Sequence, residues 1–280
     1  MGATVETIES RSTDAPLPGV LACFDGVGIG VVLLHVIDRM LEPGTVHVLT
    51  VAGSELDRSD ADTIAQYGSD FAVELGLHAQ IAPERSASDP ADAIMDTATR
   101  GIDLIAVGSS SLPLSLPHLV HSTAKSVIRR ASIPVLVVPY GHEPFPVGDA
   151  QSSMLLVVSS PDDERWLAHA TAMVALPAVM LMTIGWEPSG EARDQLCRAA
   201  ASSGHVPAES IEVLAAADPA DVAQYVSDHV VGDRQIGLVA VVNDAEDDGH
   251  PDGSTLVERI AATVTVPVLA MPLPEPVVRA

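Results

Sequence analysis

Cationic residues, cysteines and aromatic residues are all scarce in this chain of 280 residues. Fourteen Lys and Arg residues stand against 38 Asp and Glu residues, which gives a formal net charge of −24 at pH 7, and Lys125 is the sole lysine. A field of that sign repels phosphate backbones and anionic lipid surfaces. We therefore expect no nucleic acid and no membrane among the partners of this protein.

The two cysteines, Cys23 and Cys197, are too few and too far apart for a disulfide scaffold or a cysteine-rich metal site. Both lie in apolar surroundings and are interpreted as small buried hydrophobic residues. Residues 1–18 carry charges and have no apolar central stretch, which is unlike a signal peptide. These features predict a cytoplasmic protein.

Short apolar runs alternate with longer segments of helical pattern along the first half of the chain. The predicted strands are 20–24, 46–51, 78–82, 104–107 and 135–138, and the predicted helices are 29–41, 57–75, 89–99 and 122–131. Strands of this length that alternate with helices are typical of a parallel sheet covered on both faces. The pattern predicts an α/β fold in the order βαβαβαβαβ.

Three short strings of the first half recur in the same order about 130 residues later. The matching pairs are 89–92 with 218–221, 104–107 with 238–241, and 133–136 with 266–269. The recurrence predicts a tandem repeat of one α/β domain. The predicted boundaries are a flexible N-terminal segment 1–18, a first domain 19–140, a linker 141–153, a second domain 154–272 and a tail 273–280.

Three loops of the first half are expected at the sheet edge where ligands bind in open parallel sheets. They are 25–28 after the first strand, 52–54 after the second strand, which ends at Val51, and 108–121 after the fourth strand. The last loop leads to a helix that begins near Ser122, where backbone N–H groups and the helix dipole favour an anion. This edge is the predicted place for a phosphate.

These residues resemble the universal stress protein family. The resemblance is carried by Asp25-Gly26, by the strand and turn 104–108, and by the helix and strand 122–138; it covers about residues 20–139 and continues, more divergent, over 154–271. It implies a tandem member of that family with two flavodoxin-like, Rossmann-like domains. Each domain would hold a five-stranded parallel sheet of order 3-2-1-4-5 with helices on both faces.

ATP-binding members of the family carry Gly, two residues, Gly, nine residues, Gly and then Ser or Thr after the fourth strand. Here Gly108 stands at the first glycine, Ser111 and His121 replace the other two, and Ser122 keeps the hydroxyl position. The candidate nucleotide-site residues are Asp25, Gly26, Val51, Gly108, Ser111, His121, Ser122 and Thr123. The motif is thus degenerate.

The loop between these positions is poorly suited to a polyphosphate. His121 is bulky, and Pro113 and Pro117 remove two N–H donors, while no Lys or Arg lies in the loop. The corresponding loop 244–252 of the second half holds five carboxylates, which would repel a phosphate or collect a divalent cation. We therefore expect no bound cofactor, with ATP as the possible exception, and no resident metal.

Other interpretations of the candidate residues stay open. Asp25 either lies near a nucleotide, as the resemblance implies, or forms a turn with its glycine. His121 either ligates a metal together with His118 or is an ordinary loop histidine. The serines 109–111 lack a neighbouring base, so the sequence predicts no catalytic residue and no enzyme.

The last strand of each repeat is apolar and would expose unpaired backbone groups at a sheet edge. Pairing of the two strands predicts either a homodimer or an intramolecular pseudo-dimer, and the family resemblance implies the same contact. Three functions follow as hypotheses. The leading one is a non-catalytic stress-response protein that acts through contacts with an unknown protein partner and has impaired ATP binding. The second is an ATP- or other nucleotide-binding regulator, and the third is a nucleotide-using α/β enzyme.

Overall fold

A computed structural model shows the arrangement of most of the chain. It describes residues 19–24, 28–41, 43–52, 57–83, 85–87, 89–99, 101–109, 123–139, 153–160, 164–174, 176–202, 206–216, 222–231, 236–243 and 254–272. The predicted terminal segments 1–18 and 273–280 lie outside these residues, as do residues 141–152 of the predicted linker.

Strands and helices alternate through both halves of the described chain. The strands are β1 (Gly19–Cys23), β2 (Thr45–Leu49), β3 (Val51–Ala52), β4 (Ala79–Ile81), β5 (Arg85–Ser86), β6 (Leu104–Ser109), β7 (Val135–Pro139), β8 (Ser153–Val158), β9 (Ala178–Ile184), β10 (Glu212–Ala216), β11 (Ile236–Asn243) and β12 (Val268–Pro272). The helices are α1 (Ile29–Met40), α2 (Arg58–Glu74), α3 (Pro90–Ala98), α4 (Thr123–Arg130), α5 (Glu164–Met173), α6 (Gly190–Ala201), α7 (Val222–Val231) and α8 (Leu256–Thr263). The α/β class predicted from the sequence is confirmed.

The prediction of two separate five-stranded sheets is wrong, because the long strands form one ten-stranded sheet. Its order, β10-β9-β8-β11-β12-β7-β6-β1-β2-β4, differs from the 3-2-1-4-5 order expected for a separate sheet. The two halves meet where β12 pairs antiparallel with β7, and we call this pair the seam. On each side of the seam, the strands of this sheet lie in the order third, second, first, fourth, fifth along the chain.

The seam forms because each half would otherwise end in an unpaired apolar strand. Leu136 pairs with Leu269, Val135 with Ala270 and Val137 with Val268. All six residues are at most 1% exposed, so the join is part of the core. The seam merges the two predicted sheets into one layer.

The sheet is buried on both faces. α1, α2, α5 and α6 cover one face, and α3, α4, α7 and α8 cover the other. In β6, Leu104 and Ala106 pack toward the first helix layer, whereas Ile105 and Val107 pack toward the second. Burial of both faces explains why the strands appear in the sequence as continuous apolar runs instead of alternating ones.

Side-chain caps fix where several helices begin. Asp57 accepts a hydrogen bond from the backbone N–H of Asp60 at the start of α2, and Asp89 accepts one from Ala91 at the start of α3. Pro90 occupies the first turn of α3, where its missing N–H costs no hydrogen bond. No helix within the described residues is long and apolar enough to cross a membrane.

One strand departs from the sequence-based prediction. The predicted strand 46–51 is split, since β2 ends at Leu49 and β3 pairs separately with β5. This second sheet has two short strands, in which Val51 pairs with Arg85 and Ala52 with Ser86. The split turns Val51 out of the main sheet near its carboxyl edge.

Candidate functional site

The strand order reverses at β1, which lies between β2 and β6 and runs parallel to both. The connections that leave the carboxyl ends of these strands therefore diverge to opposite sides and open a crevice. Ligands of open α/β sheets bind in such a crevice. The candidate site of the first half is located at this point.

A cavity of about 280 Å³ lies at these strand ends. It is lined by Cys23, Phe24, Leu49, Thr50, Val51, Pro90, Ile94, Val107, Gly108, Thr123 and Ala124. Val51, Gly108 and Thr123 are predicted site residues that come from three separate parts of the chain. The structure brings these three residues together around one cavity.

The other predicted site residues are Asp25, Gly26, Ser111, His121 and Ser122, and they lie outside the described residues. Their role in binding stays a prediction. Thr123, which follows Ser122 in the sequence, is the first residue of α4 and lines the cavity.

Gly108 is required by packing, independently of any ligand. A Cβ atom at this position would lie 2.8 Å from three side-chain carbons of Ile29. Ile29 is the first residue of α1 and is buried against the sheet. The glycine therefore lets α1 approach β6 closely.

Phe24 forms the floor where β1 ends. Its backbone N–H donates to the Leu49 carbonyl at 2.8 Å, and its own carbonyl accepts the Thr50 hydroxyl at 2.8 Å. A Cβ atom at Gly30 would lie 2.4 Å from the Phe24 ring, and one at Gly68 would lie 3.1 Å from it. Two helical glycines thus make room for the ring beneath α1 and α2.

The lining is apolar apart from three small polar side chains, those of Cys23, Thr50 and Thr123. The Thr50 hydroxyl already donates to a backbone carbonyl. None of the described lining residues is cationic. The lining suits a compact, mostly apolar group, and the cavity volume lies just below the range for ligand pockets, roughly 300–1,000 Å³.

The beginning of α3 borders the cavity, but carboxylates surround it. Asp89 accepts the N–H of Ala91 at 2.9 Å, and Arg130 of α4 binds Asp92 at 2.6 Å and lies 3.8 Å from Asp89. The Asp89 carboxylate already occupies the N-terminus of α3, and the Arg130 guanidinium is engaged by the carboxylates of Asp89 and Asp92. A phosphate would compete with all of these groups.

Sequence reasoning missed Phe24, Thr50, Pro90 and Ile94 as lining residues. Pro90 and Ile94 both lie in the predicted helix 89–99, one helical turn apart, so the amphipathic pattern of α3 could have identified both. Phe24 and Thr50 carry no motif of their own. Their position depends on the β1–β2 register, which the sequence does not reveal.

Other chemistry is sparse in the described part of the chain. No group of three or more His, Cys, Asp and Glu residues that could hold a metal ion occurs there. Burial lowers the pKa of His47 and raises the pKa of Cys197. Neither residue lines the cavity.

The fold and the crevice define an α/β protein with a small pocket at the topological switch point of a parallel sheet. Residues 24–139 match the universal stress protein family, so the chain contains a domain of this family over those residues. A search of curated proteins found no significant match.

Several solved structures have the same fold, and their matches cover almost the whole chain. A universal stress protein from Archaeoglobus fulgidus matches with a TM-score of 0.64 and 14% identity, covering 91% of this chain and 96% of that one. A functionally unknown protein from Pseudomonas aeruginosa matches with a TM-score of 0.57 and 14% identity, covering 91% and 92%. The cytoplasmic domain of a prokaryotic cation chloride cotransporter matches with a TM-score of 0.51 and 14% identity, covering 91% and 95%. At these identities the likeness establishes a shared fold and leaves function to be argued from the site.

Proposed function

We propose that this chain is a non-catalytic stress-response protein of the cytoplasm that acts through contacts with other proteins and binds ATP poorly. One observation carries the proposal: the pocket at the switch point is lined by apolar and small polar groups, with no cation among the described lining residues. A triphosphate needs positive charge or many backbone donors to leave water. The net charge of −24 adds a repulsive field around the pocket.

We further propose that residues 154–272 are a second, more divergent universal-stress-type domain. Each half has the same strand order on its side of the seam, and α4 and α8 are both eight residues long. Each of these helices leads to a strand that follows a proline, Pro134 or Pro267. These correspondences support one domain plan used twice in the chain.

The absence of a catalytic role is part of the proposal. Among the described lining residues, Thr123 is a candidate nucleophile, and none of these residues has an acidic or basic side chain other than the Cys23 thiol. A nucleophile needs such a neighbour or a lowered pKa to react. Cys23 and Cys197 are not joined in a disulfide, which is compatible with a reducing cytoplasm.

A nucleotide-binding regulator is the second candidate. It is favoured by the convergence of Val51, Gly108 and Thr123 on one cavity at the switch point. An apolar pocket of this size can accept a planar base, while the phosphates would extend toward the start of α4 at Thr123. The two functions therefore differ in how tightly the phosphates are held.

Isothermal titration calorimetry with ATP, ADP and cyclic AMP distinguishes these candidates. We expect dissociation constants above about 10 μM, which corresponds to roughly −7 kcal/mol. Val51→Trp should abolish any residual heat because it fills the pocket, whereas Val73→Trp, at an exposed site on α2, should not. Tighter binding that Val51→Trp removes would overturn the proposal in favour of the regulator, and hydrolysis of the bound ATP would favour the enzyme.

A further inference from the structure

The seam has an approximate two-fold symmetry that matches residues of the two halves. The stretches 131–139 and 264–272 align without a gap, and each helix before them ends at the same distance from its strand. Leu136 faces Leu269 at the centre of the pairing, and these two residues hold equivalent positions. The symmetry axis therefore passes between them, perpendicular to the sheet.

The same alignment makes Lys125 and Glu258 equivalent residues. Each is the third residue of its eight-residue helix, α4 or α8. Across the axis, Lys125 Nζ lies 3.3 Å from Glu258 Oε2, so the two equivalent positions contact each other. One position of the domain plan thus carries opposite charges in the two halves.

Glu258 is buried and fully engaged. Its side chain is 3% exposed and receives both Lys125 and Arg129 of α4, with Arg129 Nη2 at 3.0 Å from Oε2 and Nε on Oε1. Glu258 Oε2 also accepts the backbone N–H of Thr255 at 3.2 Å, as part of the capping box that starts α8. A carboxylate at this depth is tolerated because these donors compensate its lost hydration.

Like halves cannot reproduce this contact. Two first halves facing each other about the same axis would bring together two copies of Lys125 and two of Arg129 without Glu258. Two second halves would bring together two buried Glu258 carboxylates, with Ala262 standing where each Arg129 is. Like charges brought together at a partly buried interface repel each other, so both arrangements are disfavoured.

We propose that the seam is specific for unlike halves: the β7–α4 face of the first half accepts the β12–α8 face of the same chain and rejects a second copy of itself. Backbone hydrogen bonds between β7 and β12 stabilise the seam, but any exposed strand edge could form them, so they do not select the partner. The Lys125–Arg129–Glu258 cluster supplies the discrimination. The cluster thereby disfavours any dimer in which β7 pairs with a second β7 or β12 with a second β12.

Charge reversal in the full chain tests the proposal. Glu258→Lys makes the two faces alike, and we expect its melting temperature to fall at least twice as far as that of Glu191→Lys. Glu191 is the matched control, because it is an exposed glutamate in the first turn of α6. Lys125→Glu added to Glu258→Lys should recover at least half of the loss, although each single reversal is harmful.

Hydrogen exchange measured by mass spectrometry locates the effect. In Glu258→Lys, peptides from β7 and β12 should lose protection before those from β1 and β8. Glu258→Gln removes the charge but keeps a side chain that can cap α8. It should lose protection at the same peptides first, by a smaller amount, and it serves as the second variant if Glu258→Lys does not fold. Unchanged protection at the seam, or no recovery in the doubly reversed chain, would overturn the proposal.

Discussion

Two threonines at equivalent positions of the halves have opposite hydrogen-bonding states. Thr50 follows β2 and donates to the Phe24 carbonyl, whereas Thr183 of β9 is fully buried and its hydroxyl has no hydrogen-bond partner among the described residues. A satisfied hydroxyl stabilises a fold, and an unsatisfied buried one costs about 1–3 kcal/mol. The pair provides a matched comparison within one molecule.

We expect Thr183→Val to raise the free energy of unfolding by about 1 kcal/mol, because it removes the unpaired hydroxyl and keeps the side-chain volume. Thr50→Val should lower the free energy of unfolding by about 1 kcal/mol through the lost hydrogen bond. Urea denaturation followed by circular dichroism measures both values. Changes of the same sign for the two variants would contradict this explanation.

Some residues of the site could be inferred from the sequence and others could not. Val51, Gly108 and Thr123 follow from strand ends and helix starts, and the structure places all three around the cavity. Gly68 packs closely against the Phe24 ring, which comes from a distant part of the chain. A local sequence pattern does not reveal contacts between residues that are far apart in the sequence.

At the scale of elements, the cap of α2 provides a direct test of how a helix is fixed. Asp57 accepts the N–H of Asp60 at 2.9 Å and lies at the positive end of the helix dipole. Asp57→Ala should lower the free energy of unfolding by about 1 kcal/mol. Asp62→Ala, at an exposed position further along α2, should be neutral or slightly stabilising, because alanine has the higher helix propensity. Thermal and urea unfolding of the two variants checks this, and equal losses would argue against a capping effect.

Helix positions were predictable because periodicity and caps mark them locally. α1 and α2 begin and end within one residue of the predicted 29–41 and 57–75. β5 was not predicted, since Arg85 and Ser86 have no apolar pattern and are held by backbone pairing with β3. Short strands of this kind depend on a neighbour and carry little signal of their own.

At the scale of the whole molecule, the acidic surface should govern the response to salt. A net charge of −24 in a folded chain produces self-repulsion that unfolding relieves. Raising sodium chloride from about 0.05 to about 0.5 M shortens the screening length severalfold, so the melting temperature should rise. Potassium chloride should act equally, which separates screening from a specific sodium site. A melting temperature that stays flat or falls would show that self-repulsion is not significant.

The sequence predicted the α/β class but not the union of the halves in one sheet. The apolar residues of a strand indicate that the strand is buried. They do not show which edge strand of one half pairs with which edge strand of the other. The seam depends on backbone groups of β7 and β12 that any apolar strand would offer. The opposite charges of Lys125 and Glu258 are consistent with this pairing, but the sequence alone does not show that α4 and α8 lie side by side.

The seam also decides where openings can lie. Because β12 runs antiparallel to β7, all strands of the first half point one way and those of the second half point the other way. The first-half pocket therefore opens at one rim of the molecule, and the corresponding rim of the second half faces the opposite direction. A protein that binds over one of these edges would leave the other edge exposed to solvent.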